Sequence, residues 1–250
     1  MRKSIIVGNW KMNGSQELIK EFLESFNSNF NRKDLEVVVC PPEVLLISMK
    51  NAMDGTGVFV GAQNVHTETK GAYTGETSAQ LLRECGVNWC IVGHSERREQ
   101  FGETDDMISR KIENLISNDI KPILCVGETL EQRESGNFKE VVIKQLRRGF
   151  SRLAANSINR CVIAYEPVWA IGTGKTSDPV DANKMHKEIR NEIASLSSKE
   201  GAKKMPIIYG GSVNNENAED LISNEEIDGA LVGGASLNSK AFKKIIGYSQ

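Results

Sequence analysis

Long apolar runs are missing from this chain. None nears the ~20 residues that cross a bilayer, so a membrane helix is not expected. The opening MRKSIIVGNWK has basic residues and a short apolar run but no small-residue cleavage pattern, and no secretory leader is read there. CxxC pairs are missing as well. The five cysteines, Cys40, Cys85, Cys90, Cys125 and Cys161, cannot all pair within one chain, which predicts reduced thiols and a cytoplasmic protein. Cys40, Cys90, Cys125 and Cys161 each sit in an apolar run and suit a core better than a metal site, which needs clustered thiolates or histidines; no metal is expected. Neither sign of charge is in excess, with 31 Lys and Arg against 33 Asp and Glu, which argues against nucleic acid and anionic membrane as partners. Aromatic residues are scarce at 6%, fewer than a sugar-binding cleft wants.

What is present suits a large core: 250 residues, 39% hydrophobic and 26% charged, read as one domain over 1–250. Short β-rich apolar runs occur at Ser4–Val7, Leu35–Cys40, Val58–Gly61, Trp89–Val92, Pro122–Val126, Cys161–Tyr165, Pro206–Tyr209 and Gly229–Val232. Between them lie helical patterns, such as Leu18, Ile19, Phe22, Leu23 and Phe26, then Ile108, Ile112, Leu115 and Ile116, then Met185, Ile189, Ile193 and Leu196. Thr104 and Asp178, the latter before Pro179, are N-cap candidates. Strand and helix in alternation mean parallel strands with right-handed crossovers. Eight such units predict a closed (β/α)8 barrel. An open doubly wound sheet would show GxGxxG after its first strand, and here that place reads Gly8-Asn9-Trp10-Lys11.

In such a barrel the carboxyl ends of all strands ring one face, where catalytic groups sit. The groups predicted to meet there are Asn9 and Lys11, His94-Ser95-Glu96, Glu166, Gly210-Gly211-Ser212 and Gly233-Gly234. Glu166 is a candidate base, and Pro167 behind it holds it in extended geometry. Asn9 and Lys11, two apart, are expected on the same side of the first strand. His94 precedes the first turn of a short helix, a place that disfavours imidazolium, so a neutral ring donating a hydrogen bond is expected. The glycine pairs after strands seven and eight expose backbone N–H groups and suit a phosphate. Val168, Trp169, Ala170 and Ile171 are apolar for an exposed loop, and Gly172, Thr173, Gly174 and Lys175 follow. That segment suits a lid, or a loop whose Trp169 packs on the barrel rim. Gly174-Lys175-Thr176 imitates the end of a nucleotide-binding P-loop, but Trp169 stands where the first glycine belongs. One base, one neutral imidazole, one cation and an anion cradle fit proton abstraction beside a carbonyl.

GNWKMNG at 8–14, VGHSERR at 92–98, CVGETLEQRESG at 125–136, AYEPVWAIGTGK at 164–175, YGGSV at 209–213 and LVGGASL at 231–237 together resemble the triosephosphate isomerase family. The resemblance implies interconversion of dihydroxyacetone phosphate and D-glyceraldehyde 3-phosphate without cofactor or metal. It implies that Glu166 shuttles the proton, that neutral His94 polarises the carbonyl, and that Lys11 and Asn9 bind substrate and stabilise charge. It further implies that Gly172, Ser212, Gly233 and Gly234 hold the phosphate, that Ser95 and Glu96 support the rim, and that Pro167–Lys175 closes as a lid over an intermediate prone to lose phosphate. The segment 63–75, with Thr74 reaching toward a partner's rim near Asn9 and Lys11, implies a homodimer. His66-Thr67-Glu68-Thr69 at its tip and Trp89 depart from the family pattern. A barrel glycosidase using Glu96 and Glu166, and a catalytically silent phosphate-binding barrel, are the competing readings.

Overall fold

The computed structural model describes residues 2–26, 32–171 and 177–249. Eight parallel strands, β1 (Ser4–Asn9), β2 (Leu35–Cys40), β3 (Val58–Ala62), β4 (Trp89–Val92), β5 (Lys121–Val126), β6 (Val162–Tyr165), β7 (Ile207–Tyr209) and β8 (Gly229–Val232), follow one another in sequence order round a closed barrel. Closure comes from β1 meeting β8, Ile5 opposite Gly229 and Gly8 opposite Val232. The expected runs are all strands, with shifted ends. β7 begins at Ile207 because Pro206 has no N–H for the ladder.

Alternation along the strands sorts the core into two layers. Ile5, Val7, Val38, Cys40, Ile91, Ile123, Cys125, Ala164, Ile208 and Leu231 fill the barrel interior, while Ile6, Val37, Val92, Leu124, Ile163 and Ile207 pack outward against helices. Burial on both faces is why the strands read as nearly unbroken apolar runs. Cys40, Cys90, Cys125 and Cys161 are buried, and burial pushes each thiol above its usual range; Cys85 is exposed. The helix Asp105–Ser117 buries Ile108, Ile112, Leu115 and Ile116 and is capped by Thr104, whose side chain accepts the Met107 N–H at 3.3 Å. Leu23 departs from expectation: in the helix Gln16–Phe26 the buried face is Ile19, Phe22 and Phe26, three and four apart, which turns Leu23 outward.

The helix Pro179–Leu196, capped by Asp178, covers the outside of β6 and β7. From it His186 reaches the Tyr165 ring edge-on, with centroids 5.8 Å apart. Its Nδ1 faces the Glu226 carbonyl at 3.2 Å and therefore carries the proton. Burial lowers its pKa from 6.5 to about 3. Between those values the unfolded chain binds a proton that the fold does not, so this contribution is complete above pH 6.5 and is lost as pH falls toward 3. The variant His186→Gln keeps a donor for Glu226 and should show a shallower loss of unfolding free energy from pH 6.5 to 4 by urea denaturation. Parallel slopes in the two proteins would exclude His186 as a source of acid sensitivity.

Candidate active site

Strand ends supply the site, and local geometry aims each side chain. Asn9 is the last residue of β1, and its Oδ1 accepts the backbone N–H of Lys11 at 3.0 Å. Lys11 lies beyond the strand at φ 51, so it reaches the bowl through a left-handed turn and not by strand alternation as the sequence suggested. Gln63 steadies that turn, its Nε2 donating to the carbonyls of Lys11 and Cys40, both at 2.8 Å. The Lys11 ammonium meets Glu96 Oε1 at 2.5 Å.

His94 caps the helix Ser95–Gln100, and its Nδ1 accepts the Glu96 N–H at 3.2 Å. A nitrogen that accepts is unprotonated, so the neutral ring carries its proton on Nε2. That Nε2 lies 3.1 Å from Glu166 Oε1. Glu166 is buried, at 1% exposure. Its Oε2 accepts the backbone N–H of Ser95 at 3.0 Å, while Oε1 has no well-aligned hydrogen bond despite its closeness to His94. The neighbouring Cys125 thiol is held far above its usual range, by burial first and then by the Glu166 charge and hydrogen bond, so it stays S–H beside the carboxylate.

Two glycines make room for this acid. A Cβ on Gly127 would stand 1.6 Å from the Glu166 carbonyl oxygen, and one on Gly210 would stand 2.8 Å from Glu166 Cγ. Across from them the Ser212 hydroxyl donates to the Ala170 carbonyl at 2.6 Å, and Gly234 opens a 3-10 turn through Leu237. Asn9, Lys11, His94, Glu166, Ser212, Gly233 and Gly234 thus line one cavity of about 310 Å³, together with Ile171 and Leu231. Pro167, Val168, Trp169, Ala170 and Ile171 are described, with a 3-10 turn over Val168–Ala170; Gly172, Thr173, Gly174 and Lys175 lie outside the described residues. Trp169 packs on the rim, its indole N–H donating to Glu128 at 2.9 Å. Thr74 is exposed, away from this cavity, on the loop anchored by Gln63 and by Asn64, which accepts from Lys111 at 2.8 Å. Among the described residues no group of three or more His, Cys, Asp or Glu could hold a metal ion.

This arrangement has relatives. A family model for triosephosphate isomerase matches residues 4–249. The triosephosphate isomerases of Herpetosiphon aurantiacus and Caldanaerobacter subterraneus are each 47% identical, over 99% of this chain and 100% of theirs. That of Fusobacterium nucleatum is 44% identical over 98% of both chains. The chain belongs to the triosephosphate isomerase family.

Glu128, two residues beyond β5 of this triosephosphate isomerase fold, was given no role by sequence reasoning. Fully buried, it accepts from Trp169, from the Tyr165 hydroxyl at 3.1 Å and from Arg133 at 3.1 Å, and its backbone carbonyl accepts the Val168 N–H at 3.0 Å. An acid five residues before an arginine, across a helix start, was the available signal. Gly210 was read only as part of a phosphate loop, although its missing side chain admits the Glu166 methylenes. Gly210→Ala should therefore displace the carboxyl group and lower kcat about tenfold or more with the fold intact. Steady-state kinetics with circular dichroism checks this, and wild-type kcat in the variant would mean that the acid has slack there.

Proposed function

We propose that this family member interconverts dihydroxyacetone phosphate and D-glyceraldehyde 3-phosphate, with Glu166 as the base. The observation that carries the reading is the 3.1 Å approach of a buried carboxylate to the N–H-bearing nitrogen of a neutral imidazole, on the wall of a cavity sized for a small molecule. A carboxylate there takes a proton from the carbon beside the carbonyl and returns it to the neighbouring carbon. His94 Nε2–H donates to the carbonyl oxygen as negative charge develops on it. Lys11 lies on the same wall to offset that charge, oriented by Glu96, and Asn9 holds both the Lys11 backbone and a substrate oxygen. Backbone N–H groups around Ser212, Gly233 and Gly234 bind the phosphate, joined in this reading by Gly172. The reaction moves one proton from carbon to carbon and a second from the hydroxyl oxygen to the former carbonyl oxygen, and it changes no oxidation state overall, so the proposal invokes neither cofactor nor metal.

The enediolate carries a phosphate that leaves readily in water, which gives Pro167–Lys175 its task as a lid. Support comes from the position of Ile171, which lines the cavity, and from the hold of Glu128 on Trp169 at the start of the segment. Five unpaired cysteines agree with a cytoplasmic location.

The proposal includes a homodimer. Met12, Val44 and Phe101 are exposed at 94, 86 and 65%, and a second cavity of about 300 Å³ beside the first is lined by Lys11, Met12, Gln63, His94 and Phe101. The exposed loop bearing Thr74 suits such a cavity on a second copy.

Glu166→Asp withdraws the carboxylate by about one methylene and should lower kcat by about 10²-fold or more with little change in KM. An unaltered kcat in a coupled assay would remove Glu166 as the base. Thr74→Arg should shift the protein toward monomers in sedimentation, and an intact dimer would argue against this loop as the contact.

A further inference from the structure

Arg133 takes part in more interactions than a surface arginine needs. It sits on the short helix Leu130–Glu134, whose start is fixed by a reciprocal capping box between Thr129 and Gln132. Its guanidinium carbon lies 4.9 Å from the centre of the Trp169 ring and 5.0 Å from that of Phe138. Its Nη1 reaches Glu128 Oε1 at 3.1 Å, and Nη2 lies 3.7 Å from Asp181. The same oxygen, Glu128 Oε1, accepts the Trp169 indole N–H. One guanidinium thus touches the indole face and also pairs with the atom that holds the indole edge.

The consequences reach Glu166 through backbone. The Glu166 N–H donates to the Val126 carbonyl at 2.7 Å, and the Val168 N–H donates to the Glu128 carbonyl. Gly127, between them, lies so close to the Glu166 carbonyl that no side chain fits. Residues 126–128 are the bed on which 166–168 lie, and Glu128 and Trp169 pin its far edge. We propose that Arg133 is a positioning residue for the reaction: by holding the Trp169 indole both directly and through Glu128, it fixes the backbone that carries Glu166. The planar fork and delocalised charge are required, because an ammonium pairs with Glu128 but cannot also lie flat on a ring. The kinetic half of this inference rests on Glu166 as the base; the structural half does not.

The test compares wild type, R133M and R133K as full chains, with W169F as a reference. Trp10 and Trp89 are buried, so acrylamide quenching of tryptophan fluorescence reads Trp169. In R133M, kcat per folded molecule should fall about fivefold or more while KM stays within about twofold, because the phosphate loops are untouched. Quenching should rise in the same variant, and R133K should fall between it and wild type in both measurements. Should R133M not fold, the R133K comparison alone decides. Wild-type kcat and quenching in the variants, with only a lowered melting temperature, would show a folding role and overturn the proposal. An inactive wild type would defeat the isomerase reading and this kinetic role with it, while quenching still decides whether Arg133 holds the indole.

Discussion

A carboxylate almost wholly withdrawn from water, with no lysine or arginine paired to it among the described residues, is the constraint around which this site is built. Burying an ionised carboxyl costs several kcal/mol unless polar groups replace its water. Here the replacements are modest: the Ser95 N–H, the Cys125 thiol and the nearby neutral imidazole. Lys11, which lines the same cavity, is engaged elsewhere in its pair with Glu96.

Glu128 shows the opposite solution a few residues from the same wall. It too is fully buried, yet it has Arg133, a tyrosine hydroxyl and an indole N–H around it. The two acids follow neighbouring strands, one with its oxygens fully engaged and the other with Oε1 lacking a well-aligned hydrogen bond. Gly127 lets their backbones meet.

Much of this was legible in the residues. The eight apolar runs are strands because a barrel wall buried on both faces leaves no polar alternation to blur them. Asn9, Lys11, His94, Ser95, Glu96, Glu166, Ser212, Gly233 and Gly234 were legible as a set because the fold sends every strand end to one rim. Other features were not. The left-handed turn at Lys11 depends on Asn9 and Gln63 bonding its backbone, and Gln63 is 52 residues away. The outward turn of Leu23 follows from where the neighbouring strands lie, which the helical period does not specify.

The chain order of strands, caps and polar strand ends, written in local pattern, is enough to specify the barrel and name the groups that face its mouth, because side-chain period and turn chemistry act over a few residues. Which oxygen of Glu166 meets the Ser95 N–H, which ring nitrogen of His94 carries the proton, and that Arg133 touches Trp169 were settled by folding alone. Those contacts join residues 36 to 71 positions apart, or turn on ångström-scale distances, and hydrogen bonds and burial are decided at that scale.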